Sequence, residues 1–346
     1  MGFAEVINQD YAKTQIISDL AAKHFPAYLF VGATGIGKRT LALVLAKALC
    51  CNNKSLDSCD ECSHCRQIER LSYPDVKIIF PIAPQTEEGE IPELTKDYTL
   101  EKARPDSPSN GTISIERVRE LKYEMGFPPA AGKRRVIIII DADKMTNEAA
   151  NSFLKTLEEP QAQTSFILTT ERSSALLPTI RSRCQTIRFF GIPAHAITDF
   201  LVKKYQISRE KAMTAADVAE GSIRRALDYV NNPEQFLAEE IIALFEKKDT
   251  NKSNFSELSI KLAEIPVGSI VKSFLFVYRQ ANLAKLGIKT GFSEKCLSLV
   301  DPANKFSLDQ INSKIEYLLR TLGDTELYLN KRLFLHSVLA NCLSEE

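Results

Sequence analysis

The feature that most constrains the fold is the glycine-rich segment GATGIGKRT at residues 32–40. It follows the short apolar run AYLFVG at 27–32 and precedes the helix-forming run RTLALVLAKALCC at 39–51. A strand, a glycine-rich turn and a helix in this order form a phosphate-binding loop, in which backbone N–H groups and the helix N-terminus face an anion. The segment therefore predicts an α/β nucleotide-binding domain. The predicted binding residues of the loop are Gly32, Gly35, Gly37 and Lys38.

The residue after Lys38 departs from this pattern. A Ser or Thr at that position normally coordinates magnesium, whereas this chain has Arg39, with Thr40 one residue later. One residue on a helix corresponds to about 100° of rotation, so Thr40 does not replace the missing hydroxyl. We therefore expect this chain to lack an ordinary Mg²⁺ site, and the sequence leaves open whether ATP occupies the loop.

Further apolar runs extend the α/β pattern. RVIIIIDA at 135–142 and TSFILTT at 164–170 are nearly continuous β-branched or apolar runs, and the helix-forming run NEAANSFLKTLEE at 147–159 separates them. Such runs are typical of strands that are buried on both faces of a parallel sheet. The sequence therefore predicts a doubly wound α/β domain with a parallel sheet.

The first of these strands delivers Asp141 to the carboxyl edge of the sheet, where α/β proteins bind ligands. Asp141 is suited to the magnesium side of a nucleotide site. In hydrolysing enzymes of this type the next residue is commonly a glutamate that polarises water, but here it is Ala142. Asp143 is expected to lie on the same face as Asp141 in an extended strand. Because a positioned general base contributes about 10² to 10⁴ in rate, we expect little or no ATP hydrolysis by this chain.

A cluster of cysteines predicts a metal site. Five of the eight cysteines, Cys50, Cys51, Cys59, Cys62 and Cys65, fall within 16 residues, with two Cys-x2-Cys spacings. In a reducing compartment such a cluster favours metal over disulfide. Four thiolates complete a closed tetrahedral zinc site, which is structural rather than catalytic. The predicted ligands are Cys50, Cys59, Cys62 and Cys65. Cys51 is an alternative first ligand, and His64 is interpreted as a solvated neighbour.

Composition limits the classes of partner. Lys plus Arg and Asp plus Glu both number 44, so no strong net charge draws the chain to nucleic acid or to an anionic membrane. No run approaches the roughly 20 apolar residues that span a bilayer, and the N-terminal residues lack a secretory pattern. The sequence therefore predicts a cytoplasmic protein without a membrane partner.

The chain divides into three regions by pattern. The α/β pattern covers 1–190 and contains the cysteine knuckle at 50–65. Within it, residues 81–112 are rich in Pro, Glu, Ser and Gly, and we interpret them as a mobile surface insertion. Beyond about residue 192 the runs are helical, and they predict a small helical domain at 191–235 and a larger one at 236–346.

Two arginine-containing segments permit more than one interpretation. TIRSRC at 179–184 places Arg181 and Arg183 just before the strand-like run QTIRFF. These arginines are either ordinary surface charges or include an arginine finger, a cation that projects into the nucleotide site of a neighbouring subunit. GSIRRAL at 221–227 is likewise compatible with a helix start that has a basic face.

Together these motifs resemble the subunits of the bacterial DNA polymerase III clamp loader, an AAA+ assembly. The resemblance covers about residues 3–230. It rests on the order and spacing of AYLFVGATGIGKRT, the cysteine knuckle, IIIIDADKMTNEAANSFLKTLEEP, FILTTE, LLPTIRSRCQTIRF and GSIRRAL. Within this family the chain is most similar to the delta-prime type. The gamma/tau type carries Gly-Lys-Thr in the loop and Asp-Glu at the acidic strand, where this chain has Arg39 and Ala142.

The resemblance implies an architecture and partners. It implies an AAA+ P-loop domain at 1–190, a helical lid domain at 191–235, and an all-α collar domain at 236–346 that joins a pentamer. The implied role is that of a stator beside ATP-hydrolysing motor subunits. The implied partners are the gamma/tau and delta subunits and, through the assembly, the sliding clamp and primed DNA.

The resemblance also implies roles for residues. Arg183, within Ser182-Arg183-Cys184, corresponds to an arginine finger that acts in trans, and Arg224 lies in the segment similar to sensor 2. Thr169 and Thr170 occupy the sensor 1 region. Cys50 is preferred over Cys51 as a zinc ligand because its spacing matches the family. The rival hypothesis is a self-sufficient AAA+ ATPase, either a gamma/tau-like motor or a helicase, and a zinc-bearing scaffold outside replication is a third.

Overall fold

The computed structural model describes residues 2–53, 56–99, 111–131, 134–161, 163–231, 267–287, 306–324 and 331–343. Among these residues, five strands form one sheet in the spatial order β2-β3-β4-β1-β5, and every neighbouring pair is parallel. The strands are β1 (Tyr28–Val31), β2 (Val76–Ile79), β3 (Arg135–Ile139), β4 (Thr164–Thr170) and β5 (Gln185–Arg188).

Helices surround and follow this sheet. They are α1 (Asp10–Ala21), α2 (Lys38–Cys50), α3 (Ser63–Glu69), α4 (Ile91–Lys96), α5 (Ile115–Met125), α6 (Asn147–Glu158), α7 (Pro178–Arg181), α8 (Ala194–Tyr205), α9 (Arg209–Val218), α10 (Ile223–Asn231), α11 (Val267–Lys285), α12 (Leu308–Asp324) and α13 (Lys331–Leu343). Short 3₁₀ helices lie at Phe3–Glu5, Glu88–Glu90, Ala142–Lys144 and Ser173–Ala175. The strands and helices predicted for the α/β region are therefore confirmed to within a few residues.

The sheet is buried on both faces. Tyr28 and Phe30 of β1 belong to a core that includes side chains of α1 and α2, whereas Leu29 belongs to a second core with side chains of α5 and α6. Successive residues of a strand point to opposite faces, which is why an unbroken apolar run is required here. The predicted doubly wound α/β fold is confirmed.

Strand register brings the loops that carry the predicted site to one edge of the sheet. Val31 at the end of β1 is paired with Thr170 at the end of β4, and Ile139 at the end of β3 is paired with Leu168. The Gly32 N–H also donates to the Thr170 carbonyl at 3.2 Å. Since all of these strands are parallel, the glycine-rich loop and the turn after β3 both emerge beside the end of β4.

The segment expected to be a mobile insertion is structured over residues 82–99. Ile82 exchanges two backbone hydrogen bonds of 3.0 Å with Thr112. Tyr98, only 2% exposed, stacks on Phe80 with ring centroids 4.3 Å apart. One buried aromatic residue thus anchors an otherwise polar segment, and the mobility expected for residues 81–112 stays a prediction. Residues 100–110 lie outside the described residues.

The chain divides into two compact units, Met1–Ala196 with Gly221–Arg224 and Ile197–Glu220 with Arg225–Glu346. In the described part of the second unit every regular element is a helix, as predicted, and the apolar core includes Phe274, Tyr278, Leu318 and Leu339. No helix in the described ranges has the length and apolar character needed to cross a membrane. The boundaries at 191–235 and 236–346 stay predictions, and residues 232–266 lie outside the described part.

Candidate nucleotide and metal sites

The glycine-rich loop has the backbone geometry of an anion cradle. Gly35 and Gly37 have φ values of +77° and +102°, a region that side chains disfavour, and Gly37 is the N-cap of α2. A Cβ at Gly35 would lie 2.2 Å from Ser222 Oγ and 2.6 Å from Arg224 Cβ. The structure thus places Arg224 against the loop, and its role as a nucleotide-sensing residue stays a prediction.

Lys38 lies within the loop rather than in solvent. It is 5% exposed, and its Nζ donates to the carbonyl oxygens of Gly32 and, at 2.6 Å, of Ala33. The ammonium is therefore held by acceptors of the loop itself. An entering phosphate would have to replace these carbonyls as the partner of Lys38.

Gln9 is a loop-binding residue that the sequence interpretation missed. Its side-chain nitrogen donates to the Ile36 carbonyl at 3.0 Å and to the Phe190 carbonyl at 2.6 Å. Its oxygen accepts the Phe190 N–H at 3.1 Å. Gln9 is 3% exposed, so this buried amide ties the loop to the segment after β5. A lone glutamine in a polar stretch offered no pattern that could have identified it.

Arg39 faces the segment after β2. Its guanidinium carbon lies 6.0 Å from the centroid of the Tyr98 ring, a distance at the outer limit of a cation–π contact. The residue that replaces the usual magnesium-binding hydroxyl is thus a cation next to an aromatic ring. This arrangement supplies positive charge, not an oxygen ligand, at the start of α2.

The acidic turn after β3 differs from the extended geometry that we expected. β3 ends at Ile139, Asp141 is left-handed with φ 49° and ψ 56°, and residues 142–144 form a 3₁₀ turn. The prediction that Asp143 shares a face with Asp141 along a strand is therefore wrong, because the strand has already ended. Residue 142 is an alanine, so the position directly after Asp141 carries no carboxylate. Its side chain is buried, with 1% exposed.

Hydrogen bonds join this turn to the end of β4. The Asp141 N–H donates to Thr169 Oγ1 at 3.2 Å, and the Thr170 hydroxyl donates to Asp143 Oδ1 at 2.7 Å. Arg172 Nη2 lies 3.8 Å from Asp143 Oδ2. The two predicted sensor residues are thus next to the acidic turn, and their hydroxyls make contacts within the chain.

The cysteine knuckle has the geometry of a tetrahedral metal site. The Sγ atoms of Cys51, Cys59, Cys62 and Cys65 all lie within 4.8 Å of one another. Two of these separations are 3.5 Å, from Cys51 to Cys59, and 4.0 Å, from Cys59 to Cys65. A tetrahedral zinc with Zn–S bonds of about 2.3 Å requires sulfurs about 3.8 Å apart. The four thiols therefore fit a structural zinc ion.

Backbone N–H groups favour thiolates in this knuckle. The N–H groups of Cys62 and Cys65 donate to the sulfurs of Cys59 and Cys62, each at 3.4 Å. Burial raises the pKa of the Cys62 thiol, but hydrogen bonds from Asn52 and Cys65 outweigh burial and lower that pKa to about 6. Burial raises the pKa of Cys51 and of Cys65. Thiolates are the form that binds metal.

The structure places Cys51, not the preferred Cys50, in the knuckle. Cys50 is the last residue of α2, is fully buried, and points its thiol at the Arg134 carbonyl oxygen, 3.4 Å away. Cys51 leaves the helix with φ −58° and ψ 140°. Because α2 ends between them, the side chains of Cys50 and Cys51 point in different directions. Cys51, the alternative first ligand, therefore belongs to the four-thiol cluster in place of Cys50.

His64 supports the knuckle without belonging to the sulfur set. Its Nδ1 lies 2.9 Å from the Cys50 carbonyl oxygen and 3.3 Å from the Tyr73 hydroxyl, and its ring packs against Tyr73 with centroids 4.9 Å apart. It is half-buried. The interpretation of His64 as a solvated neighbour was therefore incomplete.

A buried lysine joins α2 to the knuckle. Lys47 is fully buried and forms an ion pair with Asp60, and its Nζ lies 3.9 Å from Glu69 Oε1. Burial by itself lowers the pKa of Lys47, but the two carboxylates outweigh burial and raise it above its ordinary value. Burial raises the pKa of Asp60, whereas hydrogen bonds from Lys47 and Ser58 bring it below its ordinary value. The single lysine within the otherwise apolar run LALVLAKALC is the sequence signal that could have indicated a buried, paired charge.

Arg183 lies between α7 and β5. Its side chain is 32% exposed and forms an ion pair with Glu158 at the end of α6. Its Nη1 also donates to the Thr179 carbonyl at 2.9 Å. The predicted finger is therefore an accessible cation whose acceptors in its own chain are Glu158, Thr179 and, at 3.5 Å, the Ser182 hydroxyl.

Comparison with known proteins agrees with this geometry. A family model described as DNA polymerase III, delta subunit, matches residues 8–192, which include the glycine-rich loop, the knuckle, the acidic turn and Arg183. The chain belongs to the DNA polymerase III delta subunit family. The resemblance to the delta-prime subunit predicted from the sequence is thereby confirmed.

Relatives of this DNA polymerase III delta family member include two types of subunit. The chain is 32% identical to DNA polymerase III subunit delta′ of Bacillus subtilis, over 60% of this chain and 54% of that protein. It is 34% identical to subunit delta′ of Pseudomonas aeruginosa, over 47% of this chain and 42% of that protein. It is 30% identical to subunit tau of Bacillus subtilis, over 68% of this chain and 38% of that protein. The chain thus spans about half or less of the length of these relatives.

Proposed function

We propose that this chain is a delta-prime-like stator subunit of the bacterial DNA polymerase III clamp loader. It does not hydrolyse ATP itself and supplies Arg183 in trans to the ATP site of a neighbouring motor subunit. Its partners are gamma/tau and delta subunits and, through the assembly, the sliding clamp and primed DNA in the cytoplasm. The names and identities of the delta′ relatives support this role.

The observation that carries the proposal is the buried Ala142 beside Asp141. Residue 142 is an alanine where hydrolysing enzymes of this type carry a glutamate, so the position directly after Asp141 has no carboxylate that could polarise water. The next carboxylate, Asp143, accepts the Thr170 hydroxyl hydrogen bond and lies near Arg172. Arg39 in place of a Ser or Thr adds a second deficiency, because a guanidinium is repelled by Mg²⁺ instead of coordinating it. Two independent losses, each affecting a different part of the reaction, favour a subunit that keeps the fold of an ATPase without its chemistry.

Arg183 supports the contribution in trans. An arginine finger stabilises charge on the transferring phosphate and is worth about 10³ to 10⁵ in turnover. Arg183 is accessible on its own unit and lies in the segment that resembles the clamp-loader finger motif. We infer that it reaches the γ-phosphate bound to the adjacent subunit.

The remaining parts of the chain contribute structure in this proposal. The thiols of Cys51, Cys59, Cys62 and Cys65 hold a zinc ion whose chemistry is limited to cross-linking the knuckle, since four sulfurs leave no open position. Residues 191–235 serve as a lid domain and 236–346 as a collar domain. Equal numbers of acidic and basic residues imply that DNA is bound by the assembly and not by this chain alone.

A reconstituted clamp loader tests the proposal directly. Arg183→Ala is expected to lower clamp- and DNA-stimulated ATPase activity by about 10³-fold, while the variant subunit still assembles. Arg181→Ala, a nearby exposed arginine on α7, is the matched control and should leave activity unchanged. Full activity of the Arg183→Ala assembly would refute the role in trans.

The alternative is a catalytically active AAA+ ATPase of the gamma/tau or helicase type. Retention of Lys38 within an intact glycine-rich loop and 30% identity to a tau subunit are the observations that favour it. ATP hydrolysis by the purified chain alone decides between the two functions. Turnover at about 1 s⁻¹ or above, typical of enzymes, would establish the alternative.

A further inference from the structure

Glu158 lies where a helix least favours a negative charge. It is the last residue of α6, and Glu159 follows it as the C-cap. The carboxyl end of a helix carries partial negative charge, so two carboxylates there repel the end of the helix and each other. A cation nearby relieves this repulsion, and Arg183 is the cation that Glu158 contacts.

The geometry of Arg183 is set by two acceptors on different elements. Nη2 is paired with Glu158 of α6, and Nη1 donates to the Thr179 carbonyl oxygen of α7 at 2.9 Å. A guanidinium is planar and its donors are fixed in a fork, so two acceptors on separate helices restrict both the direction and the rotation of the group. The Arg183 side chain is therefore oriented before any phosphate arrives.

The pair is nevertheless accessible to competition. Arg183 is 32% and Glu158 is 46% exposed, and ion pairs at such exposure are weak because water screens them. A phosphate carries more charge than a carboxylate and accepts the same forked hydrogen bonds. The ion pair with Glu158 can thus orient the Arg183 guanidinium and still release it to a phosphate.

We propose that Glu158 is a positioning residue for Arg183. It holds the guanidinium between α6 and α7 in the free subunit and yields it to the γ-phosphate of the neighbouring site on assembly. This inference rests on the proposed role of Arg183 as a finger. It adds that a carboxylate of its own chain raises the fraction of subunits whose finger reaches the phosphate in the productive orientation.

Steady-state ATPase kinetics of the reconstituted loader test this inference. Glu158→Gln is expected to lower the maximal rate about two- to fivefold, with no change in KM for ATP, because the nucleotide is bound by the other subunit. Glu158→Asp, which keeps the charge, should recover most of the loss. Glu159→Gln, the exposed neighbouring acid, is the matched control and should behave as wild type.

A double-mutant cycle separates positioning from general stability. In an Arg183→Ala background, Glu158→Gln should cause no further decrease, because the group that it positions is absent. An equal decrease in both backgrounds, or a wild-type rate for Glu158→Gln, would overturn the positioning role while leaving the finger intact. If Arg183→Ala itself retains full activity, both proposals fail. An unchanged thermal unfolding midpoint verifies that each variant is folded.

Discussion

Lys47, in the last turn of the P-loop helix, is fully buried and forms an ion pair with Asp60 of the cysteine knuckle. The two partners differ in environment, because the Asp60 side chain is 31% exposed. Removing the carboxylate leaves a buried ammonium beside Glu69, whereas removing the lysine leaves a partly solvated carboxylate. Loss of the carboxylate is therefore expected to destabilise the contact between α2 and the knuckle more than loss of the lysine.

Substitutions on the two sides of this pair are expected to differ in cost. Asp60→Asn should lower the free energy of unfolding by about 3 kcal/mol, since the fully buried ammonium loses the carboxylate with which it is directly paired. Lys47→Met should cost less, about 1 kcal/mol, because the remaining carboxylate keeps contact with water. Urea unfolding of the zinc-loaded protein measures both. Glu61→Gln, an exposed neighbour, is the control, and equal losses for Asp60→Asn and the control would contradict the prediction.

Zinc content is expected to depend on Cys51 and not on Cys50. The wild-type chain should bind about one zinc ion through four thiolates. Cys51→Ser should lose that ion to a chelator, because only three thiols of the cluster remain, whereas Cys50→Ser should retain it, because the Cys50 thiol points to the Arg134 carbonyl. Metal analysis after dialysis against a chelator measures the difference. The reverse pattern would restore the ligand choice made from the sequence.

Tyr98 is expected to stabilise the segment after β2. Tyr98→Ala removes a side chain that is 2% exposed and stacked on Phe80, so it should cost about 3 kcal/mol of unfolding free energy. Tyr123→Ala, at a position 74% exposed, should change it by less than about 0.5 kcal/mol. Chemical unfolding compares the two. Similar values for both variants would show that residues 82–99 add nothing to the folded state.

The sequence determined the architecture of the α/β region. Unbroken apolar runs such as that of β3 require burial on both faces, and that requirement selects a parallel sheet covered by helices. Glycines at 35 and 37 before a helix specify the anion cradle, because positive φ values favour glycine. Local spacing alone identified Arg39 and Ala142 as departures from the pattern of a nucleotide site. It likewise identified Arg183 as part of a segment that resembles the finger motif.

Only the tertiary structure decided which side chains meet across long distances in the chain. Whether Cys50 or Cys51 faces the knuckle depends on where α2 ends, and helix boundaries are not fixed by residue type. The partners of Gln9, Tyr98 and Glu158 are likewise set by packing. Their contacts bring together residues between 18 and 181 positions apart in the sequence. Periodicity reports which face of an element is buried, but not what that face touches.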